Sequence, residues 1–247
     1  MKNTILSLAA SLALLGSCHT EPEAPRANAA QPAGPADALA ERVIDKIGGR
    51  KAWEDTRCIT WLFMGSRRLL WDKATDNVRV ESGDAVAFVN LRTRRGRAFE
   101  RGVELTEQAR TLAVDKAYAA FINDSYWMFM PFKLRDPGVH LAHLGRRVTK
   151  AGRSADVLEL TFDEVGMTPK NRYLVYVGVE SGLVEQWDFY SSREDTEPRL
   201  STPWNAWKPF GQIRLCTDHG DGKDWEIAVL DQPPPGAFEQ PTPLARR

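Results

Sequence analysis

Residues 121–138 read FINDSYWMFMPFKLRDPG and place Phe121, Tyr126, Trp127, Met128, Phe129, Met130 and Phe132 within twelve positions. A run this apolar leaves a larger patch than a monomer tolerates unless it covers something or is itself covered. Upstream, residues 105–122 carry helical spacing, and Leu112, Ala119, Ile122 and Tyr126 fall on one stripe. The helix is expected to continue into the aromatic run until Pro131, which lacks the N–H that an interior turn needs.

On both sides of this helix the hydrophobic period changes from 3.6 to 2. Strands are predicted over residues 59–64, 67–71, 78–81, 85–91, 97–101, 139–148, 157–162, 172–179, 184–190, 212–217 and 225–230. Turn signals such as Ser82-Gly83-Asp84, Asp136-Pro137-Gly138 and Glu180-Ser181-Gly182 separate them. Leu158, Leu160 and Phe162 alternate with Val157, Glu159 and Thr161, and Trp187 and Phe189 alternate with Gln186 and Asp188. One face is therefore apolar and the other largely polar, whereas Trp61 and Phe63 lie on a strand apolar on both faces, hence covered on both. The pattern predicts a mainly β fold with α: a half-open antiparallel β-barrel whose concave face is covered by an N-terminal helix and the mid-chain helix.

The N-terminal helix is expected from Asp37 as its cap, through Leu39, Val43, Ile44 and Ile47, to Gly48-Gly49. Before it, Lys2 and the apolar residues 5–15 lead directly into Leu15-Gly16-Ser17-Cys18, the layout of an export signal. That ending resembles a bacterial lipoprotein box, which implies lipidation at Cys18. With His19 after the cysteine, the resemblance implies an outer-membrane destination facing the periplasm. Residues 19–36 are rich in Pro, Ala, Glu and Gln and contain no large apolar residue, so they cannot repay the entropy of ordering. The expected organisation is a signal peptide over 1–17, a disordered tether over 18–36, a single domain over 37–240 and a flexible tail over 241–247.

Thirty-three Lys+Arg balance 33 Asp+Glu for a formal net charge of +0, which removes the electrostatic footprint of a nucleic-acid binder. Eight Trp residues favour an aromatic surface or groove with one wet side.

Asn123-Asp124-Ser125-Tyr126-Trp127, Met130-Pro131-Phe132-Lys133-Leu134, Asp136-Pro137-Gly138, and Thr202-Pro203-Trp204 with Trp207 resemble an uncharacterised family of bacterial lipoproteins. More broadly, the N-terminal helix closing on Gly48-Gly49 with Ala52-Trp53 behind it, the strands and the mid-chain helix resemble the lipoprotein-sorting superfamily of LolA and LolB. The resemblance covers residues 36–238 and implies a half-barrel with an apolar cavity that receives acyl chains. The sorting chaperone is soluble, whereas an anchored chain points to a receptor-like, sensor-like or ligand-holding role.

Tyr126, Trp127, Phe129 and Met130, together with Trp61, Phe63, Trp187 and Phe189 from the strands, are the candidate lining of a pocket for lipid tails. The same residues also fit a plain core beneath a curved sheet. Asn123, Asp124 and Ser125 are expected to bond the local backbone. His140 and His143 lie three apart on a strand and so face opposite ways, which argues against a shared metal; no metal or other cofactor is expected. Asp218-His219-Gly220-Asp221-Gly222 reads as a hairpin turn. With Cys18 assigned to lipid, Cys58 and Cys216 are candidates for a disulfide stapling the first strand to a late one, with buried free thiols as the alternative. Arg92, Arg94, Arg95, Arg97 and Arg101, with Arg67 and Arg68 nearby, suit anionic headgroups or a protected sheet edge. Trp204, Trp207 and Phe210 suit a stacking platform or a wrapped sheet edge.

The chain contains no Gly-x-Ser-x-Gly elbow, phosphate loop or metal-ligand cluster. The expected function is therefore non-catalytic binding of an apolar ligand, a lipid or lipoprotein acyl chain, by a membrane-anchored periplasmic lipoprotein. The rival expectations are an envelope protein-interaction or stress-sensor module, and a hydrolase whose site is built from separate strands.

Overall fold

The computed structural model describes residues 34–163, 168–222 and 224–244. The expected signal peptide, Cys18 and residues 18–33 of the tether lie outside these residues. The first element is α1 (Pro35–Lys46), which buries Leu39, Ala40, Val43 and Ile44. It begins before Asp37 because Pro35 is preorganised for a first helical turn. Asp37 sits inside that turn, where its carboxylate accepts from the Gly34 N–H at 3.3 Å. α2 (Gly49–Asp55) follows across Gly48, whose φ of 122° and close approach to Gln212 O leave no room for a Cβ, which would lie 2.5 Å from that oxygen.

Six strands then run in order: β1 (Cys58–Phe63), β2 (Arg67–Asp72), β3 (Asn77–Ser82), β4 (Ala85–Asn90), β5 (Gly96–Glu100) and β6 (Val103–Glu104). The helix α3 (Glu107–Phe129) passes into a 3-10 turn over Met130–Lys133. After it come β7 (Val139–Val148), β8 (Ser154–Phe162), β9 (Arg172–Gly178), β10 (Val184–Tyr190), β11 (Leu200–Pro203), β12 (Trp207–Phe210), β13 (Ile213–Cys216) and β14 (Ile227–Leu230). All pairings are antiparallel. The first sheet has the order β14-β1-β2-β3-β4-β5-β6, the second β11-β10-β9-β8-β7, and β12-β13 is a separate hairpin. The sheets do not close into a barrel, and the architecture is the half-open one with helices. The short strands β6, β11 and β12 were not expected, since two to four residues are too few to show a period.

Register decides which face is which. Ile59 pairs with Trp71 and Trp61 with Leu69, so these four point to one side of the first sheet. That side carries a core of Ile59, Trp61, Phe63, Leu69, Val78 and Val80 packed against Phe121, Met128 and Phe129 of α3. A second core joins Leu158, Leu160, Tyr173, Val175 and Trp187 of the second sheet to Leu39 and Val43 of α1 and to Met130 and Leu134. Trp127 and Trp207 touch both cores.

The helix stripe differs from the expected one. Leu112 is 62% exposed, while Val114, Ala117, Phe121, Asp124, Ser125, Met128 and Phe129 are buried. α3 meets the first sheet along its length and the second sheet at its end, so its buried face turns partway along, and no single stripe describes it.

The opposite face of the first sheet is covered by the chain's last described segment. Ala237, Phe238 and Leu244 pack on Cys58, Leu70 and Leu230. Arg79, 1% exposed, donates through Nη1 to the carbonyls of Ala237 (2.9 Å) and Gln240 (2.6 Å), and through Nη2 to that of Thr242 (2.5 Å). Leu244 N–H donates to Glu81 Oε1 at 2.9 Å. The stretch expected to hang loose from residue 241 is thus strapped down at least to Leu244.

The disulfide between Cys58 and Cys216 is not formed. Both thiols are free and buried, Cys58 beneath the strap and Cys216 in the second core beside Trp204 and Trp207. The sheets are held by packed side chains at two separate places, so first strand and late strand never bring these sulfurs together.

Candidate functional site: an aromatic trough filled by a helix

Trp61, Phe63, Phe129, Met130 and Trp187 are buried, and Tyr126, Trp127 and Phe189 are partly buried. They form two groups. Trp61 meets Phe129 edge-on at 5.1 Å and Phe121 at 6.2 Å, with Trp71 at 5.3 Å from Phe121. On the other side Trp127 lies 4.8 Å from Trp187, Tyr126 lies 5.7 Å from Trp187 and 5.5 Å from Tyr173, and Tyr173 stacks on Phe189 at 5.3 Å. Phe63 lies in the first core with Trp61, where its ring meets Trp225 at 5.4 Å. The trough is therefore occupied by α3 itself. Its rings pack against the concave side of both sheets.

The packing leaves polar atoms unanswered. The indole N–H groups of Trp61, Trp71, Trp187 and Trp204 are buried with no hydrogen-bond partner among the described residues. By contrast Trp207 donates to the Val184 carbonyl at 2.9 Å. A buried donor left without a partner costs about 1–3 kcal/mol, and these four are divided between the two cores, Trp61 and Trp71 in the first and Trp187 and Trp204 in the second.

One ion pair fixes the helix over the trough. Arg67 on β2 donates through Nε and Nη2 to the two carboxylate oxygens of Asp124, at 2.6 and 2.8 Å. Asp124 is fully buried, and its Oδ1 also accepts from Asn123 Nδ2 at 3.0 Å. The hydrogen bond to Asp124 raises the pKa of the Arg67 guanidinium further. Asp124 thus reaches a distant strand instead of the local backbone, and only Ser125 bonds locally, donating to the Ile122 carbonyl at 3.2 Å. The signal for the long-range partner was a charged residue set inside an apolar run.

Around the trough, Lys73 holds its ammonium 3.8 Å over the Trp53 ring, and burial pushes its pKa down to about 8. Burial also pushes the Tyr126 phenol well above its usual range.

His140 pairs with Asp163 at 2.6 Å and His143 with Asp156 at 3.7 Å, on different carboxylates. Among the described residues no three His, Cys, Asp or Glu side chains are grouped to hold a metal ion. His219 sits between Trp204 and Trp225, 4.6 and 4.5 Å from their rings, and burial pushes its pKa down to about 4. Trp204 is 1% exposed and offers no stacking platform. The basic hairpin is largely neutralised: Arg92 pairs with Asp76, Arg97 with Glu104 and Arg101 with Asp84, while Arg94 lies 4.6 Å over Tyr118.

Fold and site together define an antiparallel β half-barrel whose concave aromatic wall is occupied by its own helix. No family model matches the chain, and no curated protein sequence matches it either. Among solved structures it is similar to a DUF1329 family protein from Desulfovibrio piger, at 12% identity over 83% of this chain and 97% of that one, with a TM-score of 0.41. It is also similar to the Pseudomonas aeruginosa MucA/MucB complex structure, at 16% identity over 63% of this chain and 51% of that one, with a TM-score of 0.25. A structure of MucB with MucA(peri) gives 12% identity over 72% of this chain and 61% of that one, with a TM-score of 0.21. At these scores the likeness is partial, and the fold stands on its own strand register. Among the described residues no helix is long and apolar enough to cross a membrane.

Proposed function

We propose that this protein is a non-catalytic binding module of the bacterial cell envelope, held to the outer membrane through a lipid on Cys18 and facing the periplasm. It takes a lipid or lipoprotein acyl chain into the aromatic trough as α3 withdraws. The observation that carries this reading is the set of buried indoles on the two sheets, Trp61 and Trp71 in one core and Trp187 and Trp204 in the other, whose N–H groups lack partners among the described residues. An acyl ester or amide supplies both things the closed state lacks, carbonyl acceptors for those donors and a pliable apolar body for the rings. Each methylene taken from water contributes about 0.8 kcal/mol, so part of one chain suffices to compete with the helix's own side chains. The resemblance to the LolA and LolB superfamily supports the same ligand class.

Extraction of the purified mature protein followed by lipid mass spectrometry tests it. Acyl lipids are expected to co-purify, and Trp61→Phe and Trp187→Phe, which remove the N–H while keeping an aromatic ring, are expected to reduce the load. Wild-type protein that is free of lipid and binds no fluorescent fatty acid would end the proposal.

A second reading has its own observation. β7 is ten residues long, lies at the edge of the second sheet and is largely exposed, the situation that lets a partner's segment add as a strand. Co-purification of an envelope protein without lipid favours that reading.

A further inference from the structure

On the face of the first sheet away from α3, β14, β1, β2 and the C-terminal strap line a part-open pocket of about 110 Å³. Leu70, Ala228 and Leu230 form its floor and sides, and Pro234 and Leu244 contribute from the strap. Its polar groups are three. Arg68, 8% exposed, donates through Nη2 to Glu226 Oε2 at 2.5 Å. Thr60, also 8% exposed, has an Oγ1 that is buried without a hydrogen-bond partner among the described residues.

Strand register explains why these groups meet. Thr60 pairs with Leu70 on one side and Ala228 on the other, placing the hydroxyl between two aliphatic neighbours. Leu62 pairs with Arg68, and its N–H donates to the Glu226 carbonyl at 2.9 Å, which brings both charged side chains to the same end. Arg79 and Glu81 fix the strap above.

We propose that this pocket binds a free aliphatic amino acid. The size sets the body: a cavity of about 150 Å³ accepts benzene, so this somewhat smaller one takes an aliphatic group of about four or five carbons. The ion pair sets the head. Arg68 retains N–H donors beyond the one given to Glu226, and Glu226 retains a second oxygen, so the pair presents a cation beside an anion, the complement of an ammonium beside a carboxylate. The Thr60 hydroxyl supplies the third contact, donating to the ligand's carboxylate. A purely apolar guest would leave that hydroxyl unpaired, and a ligand with a single charge would meet one partner of the pair and be repelled by the other.

Calorimetric titration of the full chain with L-leucine tests this, with glycine, N-acetyl-L-leucine and L-leucinamide as comparisons. Saturable binding of L-leucine is expected. The two singly charged analogues, which also stand in for peptide termini, are expected to bind at least about tenfold more weakly, the loss of one charged hydrogen bond. Glycine, lacking the body, is expected not to bind. Thr60→Val keeps the shape and is expected to weaken L-leucine about tenfold by the same loss. Ala228→Met, which fills the pocket, is expected to abolish binding while the melting temperature is retained. Absence of heat with L-leucine at millimolar concentration on folded wild-type protein overturns the proposal. So does either singly charged analogue binding as tightly as L-leucine, or unchanged affinity in folded Ala228→Met. None of these outcomes depends on the aromatic trough.

Discussion

Arg67 and Asp124, 57 residues apart in the chain, close a two-pronged ion pair between β2 and α3 with the carboxylate fully buried. Removing the arginine strands a buried charge. Arg67→Met is therefore expected to cost about 3–5 kcal/mol, read as a lower urea midpoint. Asp124→Asn costs less, because Arg67 is 29% exposed and can turn to water. Replacing both with apolar residues of similar size is expected to recover most of the loss. If α3 is the element that yields to ligand, the Asp124→Asn protein also exchanges a bound fatty acid faster.

Arg79 holds the strap through three backbone carbonyls while itself 1% exposed. Arg79→Met is expected to release residues 237–244 and to cost about 2–4 kcal/mol, since three hydrogen bonds from a charged donor are lost. Amide exchange confined to that segment checks it. Cys58, beneath Ala237, should then react with a thiol reagent under native conditions, whereas Cys216 stays protected.

The thiols of Cys58 and Cys216 are free and buried, and burial pushes both pKa values up to about 12. Reductant is therefore expected to leave the melting temperature unchanged, and both sulfurs should become reactive only on unfolding. A fall in melting temperature with reductant would show a bond between them.

His219 remains neutral in the fold, with its pKa down to about 4 from 6.5. Between those values the unfolded chain binds a proton that the folded chain does not, so stability falls as pH drops from 6.5 to 4. The size of this contribution is up to about 3 kcal/mol. His219→Phe keeps a ring between Trp204 and Trp225 and is expected to flatten the curve in that window. Denaturation midpoints measured across it for both proteins give the answer.

The period-2 alternation of Leu158, Leu160 and Phe162, the turn signals between strands, and the aromatic run ended as a helix by Pro131 were legible because each is set by neighbours within a few residues. Strand addresses and the mid-chain helix follow from them. The buried face of α3 was not legible. One stripe was expected from spacing, but the helix serves two sheets in turn, and nothing local says where one partner ends and the next begins.

What the sequence by itself determined is therefore the mainly β architecture and the helix placed across it, because hydrophobic period and backbone chemistry act at short range. The tertiary structure alone decided that the trough is filled by α3, that Asp124 reaches Arg67, that Arg79 straps the C-terminal segment, and that Cys58 and Cys216 lie apart. Each of these depends on which distant side chains a sheet's register and curvature bring within a few ångströms, and that is a property of the assembled fold rather than of any one stretch.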